Sequence, residues 1–335
     1  MIINRNRWLS ALFVLPLFLA LSAATACDSS STDDNSNNTT ESSFQVMADA
    51  VLSYLNDSTD CPGVISAEAL FNDGVENYTI IDLRSADDYA AGHIQGAVNA
   101  TLGNLVSTVE GLGLAKDAPI VVACYTGQTA GHAKIALELL GYENTKSLLF
   151  GMASWNSSLT GKMDANVGDA LANPETTDNN PNLTETYDPP TLTEPADTVV
   201  TDRVNKMLAD GFKSITYADL VANGPENYFI INYFGQADYL GTGDAGVPGH
   251  IPGAYQFTPY KSITADALLS KLPTDKPIVV YCWTGQHSSQ VVAALNMLGY
   301  EALSLKFGSN ALFHSALTAH KWGAGATHDY PLVTD

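Results

Sequence analysis

The sequence predicts an α/β protein built from two tandem copies of one unit, each a mainly parallel central sheet flanked by helices. Three observations carry this. A strand-loop-helix segment occurs twice: Ile120-Val-Val-Ala-Cys124-Tyr-Thr-Gly-Gln-Thr-Ala130 is echoed by Ile278-Val-Val-Tyr-Cys282-Trp-Thr-Gly-Gln-His-Ser288. The echo continues on both sides, with Ile65–Leu70 matching Ile215–Leu220, Glu76–Asp82 matching Glu226–Asn232, Gly92–Ala97 matching Gly249–Ala254, and Leu140–Glu143 matching Leu298–Glu301. A repeat this long is a duplicated domain, because solenoid units have periods of roughly 20–50 residues. Finally, short apolar runs alternate with helical patterns, which implies parallel strands covered on both faces.

In chain order, residues 1–26 read as an export leader. Arg5 and Arg7 precede an apolar run from Trp8 to about Ala20, and small residues lead to Cys27. This order resembles a bacterial lipoprotein signal, which makes Cys27 the expected lipid-bearing residue. The implied location is the cell envelope, facing the periplasm or the cell exterior, with the membrane reached through that lipid. Residues 27–43 are rich in Asp, Ser, Thr and Asn, too polar to fold, and read as a flexible tether. The first domain is assigned to residues 44–163, with strands at Tyr78–Leu83, Ala97–Ala100, Pro119–Ala123 and Lys146–Phe150, and helices at Ser66–Phe71 and Ala130–Leu140. Residues 164–198, punctuated by Asn-Pro and Asp-Pro-Pro, read as an interdomain linker. The second domain takes 199–335, with strands at Tyr228–Tyr233, Ala254–Phe257, Pro277–Tyr281 and Ala302–Phe307, and a helix at Ser288–Leu298.

The chain of 335 residues carries a formal charge of −21, and removal of the leader with Arg5 and Arg7 makes this about −23. Such a surface is unsuited to nucleic acid or to a polybasic membrane contact. No cluster of His, Cys and carboxylate residues has metal-ligand spacing, so neither a metal nor another cofactor is expected. Cys61, in Asp-Cys-Pro-Gly, has no counterpart in the second copy and reads as a free or packed thiol.

Both repeated loops place a cysteine between a buried strand and a helix N-terminus, where backbone N–H groups and the helix dipole favour a negative sulfur. Together with Ile81-Asp82-Leu83-Arg84, the Asp88-Tyr89 pair, Gly92-His-Ile-Gln-Gly-Ala97 and Leu149-Phe150-Gly151 leading to Trp155, these residues resemble the rhodanese (sulfurtransferase) family in tandem form. The resemblance implies that Cys124, Cys282 or both carry sulfane sulfur as a persulfide, taken from a small donor and passed to a thiol or protein acceptor. Donor candidates are 3-mercaptopyruvate, polysulfide and thiosulfate. The substrate and persulfide loops are then Tyr125, Thr126, Gly127, Gln128 and Thr129 in the first copy, and Trp283, Thr284, Gly285, Gln286, His287 and Ser288 in the second. Gly127 and Gly285 suit a tight turn with positive φ or close backbone approach. The hydroxyls of Thr126, Thr129, Thr284 and Ser288 are read either as donors to the site or as helix caps. His287 is read either as a switchable charge beside Cys282 or as an exposed loop histidine. Asp82 and Arg84 are supporting residues that brace the sheet ends. Tyr125 and Trp283 either wall the site or pack.

The second copy departs from the family pattern at Asn232 and Phe234, which replace Asp82 and Arg84, and at Leu312 in the place of Trp155. On this ground Cys124 ranks slightly ahead of Cys282. Neither loop contains Arg or Lys, which weighs against thiosulfate as the main donor. The sixth position after each cysteine is Ala130 or Ser288, so the guanidinium clamp of phosphate-ester hydrolysis is missing. The remaining alternative is a non-catalytic binding or scaffold lipoprotein in extracytoplasmic redox or sulfur and selenium handling.

Overall fold

A computed structural model describes residues 41–264 and 268–334. The leader, Cys27 and most of the tether lie outside the described residues. Among those residues no helix is long and apolar enough to cross a membrane.

Two five-stranded sheets, parallel throughout, repeat one topology. The first contains β1 (Val64–Ile65), β2 (Thr79–Asp82), β3 (Val98–Asn99), β4 (Ile120–Ala123) and β5 (Thr145–Leu148) in the order β1-β5-β4-β2-β3. The second contains β6 (Ser214–Ile215), β7 (Phe229–Asn232), β8 (Tyr255–Gln256), β9 (Ile278–Tyr281) and β10 (Ala302–Leu305) in the order β6-β10-β9-β7-β8. The central strands β4 and β9 are wholly buried, which is why they appear in the sequence as continuous apolar runs. Their registers correspond, Asp82 facing Ala123 and Asn232 facing Tyr281.

The structure shortens the strand expected at Lys146–Phe150 to Leu148, because the chain turns at Phe150, which has φ +59°. Ala302–Phe307 ends at Leu305 for the same reason, with Phe307 at φ +63°. The two-residue strands β1 and β6 are too short to show any periodicity and carry no signal in the sequence. The flanking helices Ser43–Asn56 and Val199–Asp210 are likewise additions from the structure.

The two repeats share one core cluster, and each keeps a second cluster of its own. Helix Gln128–Leu139 packs against helix Gln286–Met297, and both meet helices Ser43–Asn56 and Val199–Asp210. The segment after residue 164 runs along the second repeat, where Glu175 bridges His250 and Asn180 bonds the backbone of Gln256. The C-terminal segment returns to the first repeat. Val333 bridges His93, Tyr330 stacks on Phe71 at 4.1 Å, and the Trp155 indole N–H donates to Pro331 O at 2.9 Å.

Candidate active site

Cys124 directly follows β4 and Cys282 directly follows β9, so each sulfur lies at the carboxyl end of a central strand, where open α/β sheets bind ligands. The turn that follows requires glycine. Gly127 has φ +85° and Gly285 has φ +84°, each immediately before its helix. These turns aim backbone N–H groups at sulfur. Cys124 Sγ accepts from Gly127 N at 3.1 Å and from Ala130 N at 3.3 Å, and Cys282 Sγ accepts from Ser288 N at 3.3 Å. Burial pushes the Cys124 thiol above its usual pKa, and the N–H groups of Thr126, Ala130, Gly127 and Thr129 pull it back. Such an array suits an anionic sulfur that forms during reaction.

A cleft of about 490 Å³ opens over Cys124. From the first loop it gathers Tyr125, Thr126, Gln128 and Thr129. Two lysines absent from both loops also line it: Lys162, from a short helix at the end of the first repeat, and Lys306, one residue past β10 in the second. Lys162 Nζ lies 3.3 Å from the centroid of the Tyr125 ring. The Tyr125 hydroxyl meets Asp88 and Ser85, which fixes the ring as a wall of the cleft. A larger cleft of about 710 Å³ between Tyr187, Tyr228, Tyr255 and Lys276 contains no cysteine, so size does not mark the chemistry here.

The remaining loop residues occupy distinct places. Thr126 Oγ1 accepts from Gln128 Nε2 at 3.2 Å. Thr284 Oγ1 accepts the Gln286 amide at 3.3 Å, and Ser288 Oγ bonds Gly285 O and Ser304 Oγ, so both hydroxyls are engaged in the helix start. Gln128 and Gln286 cross the interface reciprocally. Gln286 Oε1 accepts the Phe150 amide at 2.9 Å, and Gln128 Oε1 accepts the Phe307 amide at 3.0 Å. Trp283 is sandwiched between Phe234, at 4.4 Å, and His320, at 5.0 Å.

His287 fits neither reading offered for it. Its ring turns toward the first repeat, with Nε2 3.3 Å from Cys61 Sγ, and packs edge-on to Tyr233. The enclosure lowers its pKa to about 3, so it is neutral rather than a switchable cation. The cause is tertiary: the first turn of its helix lies in the interface between repeats. Cys61 is a free, buried thiol pushed up to about 12 by burial, with Lys134 opposing.

Asp82 and Arg84 lie outside the Cys124 cleft. Arg84 Nη2 donates to Asp82 Oδ2 at 2.6 Å and to Gly92 O at 2.7 Å, tying the end of β2 to the following turn. In the second repeat Phe234 fills the corresponding place as a fully buried ring, and the Asn232 amide donates to the Tyr281 hydroxyl at 2.9 Å. Hydrophobic packing thus replaces the buried ion pair, an exchange that is often neutral or stabilising.

The rhodanese-like domain profile matches residues 66–158 and 227–313, together more than half of the chain. The chain belongs to the rhodanese-like family. The thiosulfate sulfurtransferase GlpE of Pseudomonas fluorescens is 34% identical over 92 residues, covering 28% of this chain and 80% of that one. Its counterpart in Pseudomonas entomophila is 32% identical over 98 residues, covering 29% and 88%. The crystal structure of the Escherichia coli 3-mercaptopyruvate sulfotransferase SseA is 20% identical, covering 73% of this chain and 98% of that one at a TM-score of 0.28. The two rhodanese domains and the two GlpE relatives support sulfur transfer as the general chemistry. Lys162 and Lys306 were not legible in the sequence; the one trace was a lysine at the end of a core strand, where the first rhodanese repeat has Leu149.

Proposed function

We propose that this protein transfers sulfane sulfur through a persulfide on Cys124. One observation carries the reading: Cys124 lines a cleft while its Sγ accepts N–H bonds from Gly127 and Ala130. The Cys124 thiolate attacks the outer sulfur of the donor, a new S–S bond forms, and the donor remnant leaves with the electron pair of the bond that breaks. A thiolate acceptor then attacks the outer sulfur of the persulfide, takes it, and releases Cys124 as thiolate. The N–H array stabilises both anions without reorganising. Thiosulfate, 3-mercaptopyruvate and polysulfide all deliver sulfur in this way.

The test is intact mass after exposure to each donor, with Cys124→Ser and Cys282→Ser alongside. A one-sulfur gain that persists in Cys282→Ser, vanishes in Cys124→Ser and is released by a thiol supports the reading. No gain with any donor, together with slow alkylation of both thiols, would leave the scaffold alternative standing.

A further inference from the structure

The two repeats present unlike charge around their cysteines. Over Tyr125, the residue after Cys124, stands the ammonium of Lys162, and Lys306 enters the same cleft from the second repeat. The matching places in the other half carry no cation. Phe307-Gly308 corresponds to Phe150-Gly151, so the register partner of Lys306 is Leu149. The side chain stacked on Trp283, the residue after Cys282, is His320, whose pKa burial lowers, leaving it neutral at neutral pH. Neither Lys162 nor Lys306 makes an ion pair among the described residues. The carboxylate that senses Lys162, Asp88, is already held by Tyr125 and Ser85. The chain has 36 acidic residues against 15 basic ones, so two ammonium groups gathered in one cleft are a local concentration of positive charge on an acidic molecule, offset in part by Asp88 beside Lys162.

We propose that Lys162 and Lys306 together bind the dianionic end of the sulfur donor over Cys124, so that the second repeat supplies part of the first repeat's active site. The proposal rests on the sulfur-transfer reading and specifies its donor. With thiosulfate, Cys124 thiolate bonds to the terminal sulfur, the bond between the two sulfurs breaks, and sulfite leaves with the electron pair. Three negative charges stand on each side of this step, and no oxidant or reductant is consumed. The lysines hold the charge that is carried off by the leaving group. A monoanionic donor such as 3-mercaptopyruvate gains less from them. The lack of cations in either loop therefore does not count against thiosulfate, because tertiary structure brings them from elsewhere.

The test measures kcat and KM for transfer to a thiol acceptor from thiosulfate and from 3-mercaptopyruvate, using wild type, Lys162→Gln, Lys306→Gln and Lys306→Arg. Each Gln variant is expected to lose about tenfold or more in kcat/KM with thiosulfate, the scale of a lost charge-assisted contact, and less than about threefold with monoanionic 3-mercaptopyruvate. Lys306→Arg restores most of the loss. Added salt depresses the wild-type thiosulfate rate more than that of Lys306→Gln. Equal losses with both donors would reveal a merely structural role and overturn the proposal, as would Gln variants that match wild type on thiosulfate. In either case activity that depends on Cys124 would leave the sulfur-transfer reading intact. A wild type inactive with every donor would sink that reading and this proposal with it.

Discussion

Replacing Gln286 by Leu tests whether the two loops are locked to each other. Gln286 is 1% exposed, and its Oε1 accepts the Phe150 amide. Leucine keeps most of the volume but leaves that buried N–H unpaired, which costs about 1–3 kcal/mol. It also removes the Nε2 bond to Leu148 O at 3.2 Å, a smaller loss because Leu148 O keeps the Gly151 N–H at 2.9 Å. The expected sum is about 2–4 kcal/mol. With a urea m-value of about 3 kcal/mol/M for a chain of this size, the midpoint falls by roughly 1 M. Gln128→Leu leaves the Phe307 amide in the same position and costs about 1–3 kcal/mol. The two side chains lie over each other's glycines: a Cβ on Gly127 would fall 2.4 Å from Gln286 Cδ, and one on Gly285 would fall 2.5 Å from Gln128 Oε1. The double variant is therefore expected to be non-additive. Urea unfolding of the purified protein, followed by circular dichroism, is the assay. A Gln286→Leu midpoint within about 0.2 M of wild type would refute the interlock.

Because burial raises the Cys124 thiol above its usual pKa, alkylation of Cys124 in a Cys282→Ser background should still be climbing with pH between pH 8 and 9; a plateau at or below pH 8 would contradict it. His132 is fully buried, and burial lowers its pKa from 6.5 to about 4. The unfolded chain takes up that proton first as pH falls, so stability drops below about pH 6.5, by about 2 kcal/mol at pH 5. His132→Leu should flatten this slope, and unfolding midpoints at pH 7 and pH 5 for the two proteins provide the check. Gly151 has φ +60°, and a Cβ there would lie 2.3 Å from Cys124 O and 2.6 Å from Gly127 N. Gly151→Ala should abolish sulfur loading of Cys124 while Cys282 keeps its alkylation rate, and loading at the wild-type rate would show that the loop does not depend on that approach.

The part of the site that is contiguous in the chain is legible in the amino-acid order itself. A four-residue apolar run such as Ile120–Ala123 signals a strand covered on both faces, and its near-copy at Ile278–Tyr281 fixes the duplication. Cysteine, then glycine two residues beyond an aromatic, then a helix is a local pattern, so the N–H cradle at Cys124 follows from neighbouring residues alone. Strands of two residues, such as β1, have no pattern to detect.

What the sequence alone determined was the two α/β units, their family likeness, the place of each loop cysteine after a central strand and the turn that surrounds it. Tertiary structure decided the rest. The two helices that follow the cysteines pack against each other, and that contact buries His287 against Cys61 and crosses Gln128 with Gln286, while Lys306 of one repeat lines the cleft that Cys124 of the other also lines. Propensity and patterning act between near neighbours in the chain. The charge and burial around Cys124 depend on residues far apart in sequence, and only the docking of two completed units sets their distances.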